Sequence, residues 1–266
     1  MSREKIEYLR KVFATCLPHV PAGQMKSLWF NAQRSLEQWW RLDELIGLVR
    51  DGKVSDDAGS EILRAVIVFA HSVLEESIRE VAIARFDKWP AQTIASVPLI
   101  ESGAQRPEKF TFGDLLNHRG KGVAELLMDS AIAWVNSKSF SSVSDIVSFL
   151  ERIGIPIKEL IGSYDGESID DYLAALQGVI QRRHQIVHHG DYDPANRTLE
   201  RRPINVDEAA MACFRVVQII FTLYTRELAQ STRSREEAIE GFGVLFSFMA
   251  GLAGKLKVDE GEVAES

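Results

Sequence analysis

Residues 181–193, QRRHQIVHHGDYD, gather two adjacent arginines, three of the chain's six histidines and two aspartates. Arginine offers a planar fork of donors that can hold and neutralise a phosphate, while imidazole titrates near neutrality and moves protons. An enzyme that acts on phosphate esters needs both, one to stabilise the pentacoordinate phosphate and the other to shuttle the proton. His188, His189, Asp191 and Asp193 also carry metal-ligand atoms. Adjacent histidines followed by loop aspartates match no strong ligand spacing, however, and the neighbouring arginines repel a cation. Metal therefore ranks behind phosphate chemistry, and also behind the plain structural reading in which Gly190, Asp191 and Pro194 simply end a helix. No metal and no cofactor are expected.

The helix that carries these residues sets their directions. At about 100° per residue, Leu173, Leu176, Ile180 and Val187 share one stripe, widened by Val179 and Ile186, and Arg183 falls inside it. An arginine among core-facing aliphatics must be paired, or the stripe must face a wet groove. His184 and His188, four apart, share another face. Arg183 and His188 lie about 140° apart on a straight helix. They meet only if the helix ends near Gly190 or if a groove is shared with another subunit.

The elements that must position this segment read as helices throughout, because apolar residues recur at three and four and strand-length alternation is scarce. A first helix is expected over 3–17, stopped by Pro18 and Pro21. A second, about 24–50, carries Trp29, Trp39 and Trp40 as core or dimer contacts, with base stacking the lesser alternative. DGKVSDDAGS, 51–60, reads as a connection, and a third helix, Glu61 to about Phe86, has an apolar face of Ile62, Val66, Phe69, Val73 and Val81. Residues 87–110 read as a long loop. Short helices follow at about 111–117, 122–136 and 142–153. Ser168-Ile-Asp-Asp171 opens the motif helix as a capping box does, and Asn205-Val-Asp-Glu208 opens the next, 206–230. A last helix is expected at about 235–256, before an acidic tail.

With 45% hydrophobic and 26% charged residues, the 266-residue chain can bury a substantial core. Its net charge of −7 excludes nucleic-acid binding through an overall basic field, so any such contact is local. Cys16 and Cys213, each in an apolar helical context, fit reduced thiols. With neither a leader pattern nor an apolar run long enough to span a bilayer, the reading is cytoplasmic, with no membrane contact. The loop NHRGKG, 117–122, places Arg119 and Lys121 beside glycines at a helix start, where backbone N–H groups attract phosphate. Arg197, Arg201 and Arg202 can extend a local basic surface.

Arg183-His184-Gln-Ile-Val-His188 resembles the signature of the HEPN superfamily, and RRHQIVHHGD is particularly similar to its RiboL-PSP type. The resemblance spans 57–230, with 1–50 as an N-terminal helical extension and 231–266 as a C-terminal helix and tail. It implies an all-α, antiparallel HEPN-like helical bundle that forms a homodimer with two motifs facing one cleft, and a metal-independent endoribonuclease of a toxin or antiphage defence system. RNA is then the substrate, and an antitoxin or effector protein a possible further partner. The resemblance assigns Arg183 as the phosphate-holding arginine, His188 as the catalytic histidine and His184 as the variable polar position. Glu75, or alternatively Glu76, is the acid that fixes the arginine. Arg182 can stand in for Arg183 and His189 for His188; with Arg119 and Lys121 these two form the expected substrate-binding set. Related toxins silenced by nucleotidylation carry a tyrosine two residues after the histidine, where this chain has Gly190, with Tyr192 two further on. The rival from another class is a non-catalytic HEPN dimerisation or nucleotide-binding adaptor, and a helical scaffold is the third reading.

Overall fold

The computed structural model describes residues 24–98, 123–161, 168–192 and 201–231. Three long helices dominate: α1 (Gln24–Arg50), α2 (Asp56–Ala84) and α8 (Val206–Ser231). Between α2 and α8 come the short α3 (Ala91–Ser96), α4 (Val123–Asn136), α5 (Val143–Arg152), α6 (Ile157–Ile161) and the motif helix α7 (Ile169–His189). The expected all-α class holds among the described residues, where the one β feature is an isolated antiparallel bridge between Tyr192 and Arg201.

Side-chain pairings give the helix directions. Ser35 meets Ser77 at 3.1 Å, while Val49 lies against Gly59 near the connecting turn, so α1 runs antiparallel to α2. Glu80 accepts from the Tyr224 hydroxyl (2.7 Å) and Arg85 pairs with Glu227, so α8 runs parallel to α2. Tyr172 donates to the Arg215 carbonyl (2.8 Å) and Arg182 contacts Glu208 (3.0 Å), so α7 runs antiparallel to α8. The result is a four-helix bundle, with α1 and α7 running against α2 and α8 around a shared core.

The core face of α2 is built from Leu63, Val66, Ile67, Ala70, Leu74, Ile78 and Val81, at three- and four-residue spacing. Its centre lies between Val66 and Ile67. Phe69, expected in that face, is therefore turned outward and is 56% exposed. The helix also begins earlier than Glu61, because the Ser55 side chain caps it through the Ala58 N–H and Asp56 and Asp57 complement the helix dipole in the first turn. α3 interrupts the expected 87–110 loop, and α6 was not anticipated; at six and five residues, neither helix is long enough to show a period. Trp39 and Trp40 are buried, which places them in the core rather than on a base-stacking surface. A second aromatic group, Trp89, Trp134, Phe140 and Phe149, joins α4 and α5 with ring centroids 5.1–5.7 Å apart. No described helix is long and apolar enough to cross a membrane. The helices expected at 3–17, 111–117 and 235–256, and Cys16, lie outside the described residues.

Candidate functional site

The site is the C-terminal end of α7. Ser168 caps the start of this helix, accepting from the Asp171 N–H at 3.1 Å, and Tyr172, Leu176, Val179 and Ile180 anchor it to the bundle. Gln177 accepts from the Val143 N–H (2.9 Å), satisfying a donor that α5 leaves open at its first turn. The far end stops sharply. Gly190 and Asp191 both take left-handed backbone conformations, φ 60° and 68°, and the Asp191 N–H donates to the Gln185 carbonyl at 3.1 Å. Glycine adopts that region freely, whereas an aspartate there needs support.

That support is a buried charge cluster. Asp191 is 1% exposed, and its carboxylate receives the Arg64 Nε (2.6 Å) and the Arg182 Nη2 (3.0 Å), with Arg182 Nη1 at 2.7 Å from the other oxygen. Arg64 Nη2 also donates to the Arg202 carbonyl (2.9 Å) and Arg182 Nη2 to that of Pro203 (3.0 Å), while the Arg202 N–H returns a bond to the Asp191 carbonyl (2.8 Å). Burial lowers the Arg182 guanidinium from its ordinary value, and the Glu208 and Asp191 carboxylates oppose that fall. The arginine fixed among core groups is thus Arg182, 4% exposed, while Arg183 is half-buried. Sequence geometry had placed Arg183 in the apolar stripe. In the last turn of α7 Ile186 still packs against the core while Val187 is 46% exposed, and the loop at 201–203 covers the Arg182 side.

Arg183 stands on the side of α7 that faces α2. Among the described residues it forms no ion pair with Glu75 or Glu76, and its Nε is buried with no hydrogen-bond acceptor. Glu75 lies 3.5 Å from Arg79 and 3.9 Å from the His71 Nδ1, and Glu76 turns to Arg34 at 3.2 Å. Arg183 disfavours the protonated form of His71, which is 2% exposed and donates from its Nε2 to the Phe140 carbonyl at 3.1 Å. Burial pushes His71 below its ordinary value; Glu75 opposes that shift, and Arg183 and Arg79 reinforce it. His71 Nδ1 is itself buried and without a hydrogen bond, the Glu75 carboxylate standing off at 3.9 Å, so it and the unmet Arg183 donor occur in one electrostatic neighbourhood.

The three motif imidazoles face solvent. His184 and His188 ring centroids are 4.4 Å apart, and His184 and His189 are 5.9 Å apart. Within one chain the histidines are therefore grouped, and Arg183 stands round the helix from His188. Asp191, a possible metal ligand by sequence, is turned inward to the arginines, and no group of three or more metal-ligating side chains occurs among the described residues. Arg201 pairs with Glu61 and lies 5.8 Å over the Tyr192 ring. Arg119, Lys121, Asp193 and Arg197 lie outside the described residues.

Sequence reasoning missed Arg64 and His71. Both stand seven apart on the buried face of α2, and a cation and an imidazole interrupting an apolar face were the available signal.

A family model, RiboL-PSP-HEPN, matches residues 40–223. No curated protein and no solved structure matches the chain.

Proposed function

We propose that this chain, which belongs to the RiboL-PSP-HEPN family, is a metal-independent endoribonuclease whose working site combines Arg183 and His188. The observation that carries the reading is the end of α7. There three solvent-facing imidazoles, and round the helix from His188 a half-buried arginine with an unmet Nε, share a helix terminus held by Arg182, Arg64 and Asp191. An arginine kept at the surface edge without a carboxylate partner is available to a phosphate. Arg182, Arg64 and Asp191 hold the helix end still, as precise catalysis requires.

In this mechanism His188 takes the proton from a ribose 2′-OH, and the oxygen attacks the adjacent phosphorus. The O2′–P bond forms and the P–O5′ bond breaks. The departing oxygen gains a proton, leaving a 2′,3′-cyclic phosphate and a 5′-OH. Arg183 stabilises the charge on the pentacoordinate phosphate. Because Arg183 and His188 stand apart on α7, the two act together across a homodimer, Arg183 of one copy facing His188 of the other. Val187, exposed between them, is an apolar seat for the second copy. A toxin or antiphage role fits such an activity.

Purified wild type, Arg183→Ala and His188→Ala are incubated with total RNA in EDTA, and the fragment ends are analysed. Cleavage by wild type alone, leaving cyclic phosphates, is the expected result. No cleavage by folded, dimeric wild type favours the adaptor reading.

A further inference from the structure

A cleft of about 350 Å³ opens between α7 and α8, on the side of α7 away from Arg183. That volume lies within the range of small-ligand sites, about 300–1,000 Å³. It suits one nucleotide, not a duplex. Gly178, at the α7 wall, has nothing within 4 Å of where a Cβ would stand, and the exposed Met211 faces the same space from α8. Gln181 and Gln185 line it from α7 and Arg202 from the loop, with Arg202 Nη1 donating to the Gln185 amide oxygen (3.3 Å); Arg215 lines it from α8, held by the Gln218 amide oxygen (3.4 Å) and 5.2 Å over the Tyr172 ring. Glu208, the carboxylate of the lining, is in contact with Arg182, which in turn is held by Asp191. By formal charge the lining holds three arginines, Arg182, Arg202 and Arg215, and one carboxylate, in a chain of net charge −7.

Three chemistries meet in this cleft. Arginine forks bind phosphate and stack on bases. Primary amides offer a donor and an acceptor side by side, which matches the edge of an unpaired base. Thioether and glycine surfaces receive an aromatic face. The cleft is also in register with the catalytic end. Gly178, Gln181 and Gln185 follow one another at three and four residues, and the same track continues to His188 and His189. His188 is about 10 Å along the axis from Gln181.

We infer that the α7–α8 cleft binds a nucleoside phosphate, namely a nucleotide of single-stranded RNA that flanks the bond to be cut, with Gln181 and Gln185 on the base edge and Arg202 on the phosphate. The assignment of the ligand to an RNA strand rests on the ribonuclease reading. The cleft itself does not.

The test uses the full chain, a labelled single-stranded oligoribonucleotide made uncleavable by 2′-O-methyl groups, and the four free nucleoside monophosphates. Gly178→Leu fills the cleft and leaves the motif intact; leucine is also the better helix former, so the melting temperature should not fall. Wild type should bind the oligonucleotide, and Gly178→Leu should weaken it about tenfold, as when one pocket contact is lost. With a cleavable strand, the same variant should raise KM and keep kcat. Arg202→Gln, an exposed side chain whose backbone bonds persist, is the second variant; it should lower the slope of log affinity against log salt by about 0.7. If free monophosphates bind as well as the strand and Gly178→Leu abolishes both, the site stands and its ligand is a free nucleotide. If wild type and both variants bind the strand equally, the inference fails, whatever the cleavage assay shows. If Gly178→Leu weakens binding while wild type cuts nothing in EDTA, the cleft survives and the ribonuclease reading falls.

Discussion

Two buried arginine–carboxylate clusters sit at opposite ends of α2, about 30 Å apart by helix rise. At one end Arg64 and Arg182 hold Asp191; at the other Arg85 holds Glu227, with Lys88 at 3.6 Å and the Gly154 carbonyl accepting from Arg85 at 3.2 Å. As electrostatics they are alike, each a carboxylate almost wholly removed from water and ion-paired with guanidinium. Their surroundings separate them. Glu227 lies inside a regular helix and ties α8 to the end of α2. Asp191 lies in a left-handed turn, next to exposed imidazoles and a cationic cleft. A buried ion pair therefore says little about function by itself, and what it holds in place says more.

Substitutions sharpen the contrast. The largest effect is expected from His188→Ala, which should cost about 10²–10⁴ in the rate of RNA cleavage, the usual worth of a general acid–base group. Its melting temperature should stay unchanged because the side chain is exposed. A comparable loss of stability in that variant would show His188 to be structural. Next come the clusters themselves. Asp191→Ala and Glu227→Ala should each destabilise by about 3–5 kcal/mol, since each leaves buried charge without its partner. In denaturant melts the two should look similar. They should part in activity measured where both are folded: Glu227→Ala should keep kcat and Asp191→Ala should lose it, and equal retention by both would break the comparison.

A pH effect should follow from His71, which faces Glu75, Arg183, Arg79 and the Phe140 carbonyl. Burial holds its folded-state value below the ordinary 6.5. The folded chain thus binds fewer protons than the unfolded chain between those two values. Its contribution to stability is full above about pH 6.5 and is lost as pH falls through the folded value. His71→Asn should flatten that part of the stability curve, measured by urea melts across acid pH. The smallest effect is expected at the exposed pair of Arg34 and Glu76, where Glu76→Ala should change stability by less than about 1 kcal/mol.

Much of this was legible beforehand, for local reasons. Ser168 as a cap, the three- and four-residue spacing of α7 and the stop at Gly190 are written within one segment, and so is the Arg183–His188 pattern. The division of labour between Arg182 and Arg183 was not. It depends on Arg64, which reaches Asp191 across 127 residues of sequence, and on a loop at 202–203 whose carbonyls no periodicity announces. His71 was hidden similarly, since its acceptor is the carbonyl of Phe140, 69 residues on. The α7–α8 cleft needed the relative setting of two helices and the space beside Gly178.

The most direct measurement is complementation. Arg183→Ala and His188→Ala, each inactive alone, are co-expressed, and the mixed dimers are assayed on RNA in EDTA. If one copy supplies the arginine and the other the histidine, each mixed dimer keeps one intact site, and random pairing restores about a quarter of wild-type activity. No restoration from mixed dimers proven to form would contradict a site shared between two copies.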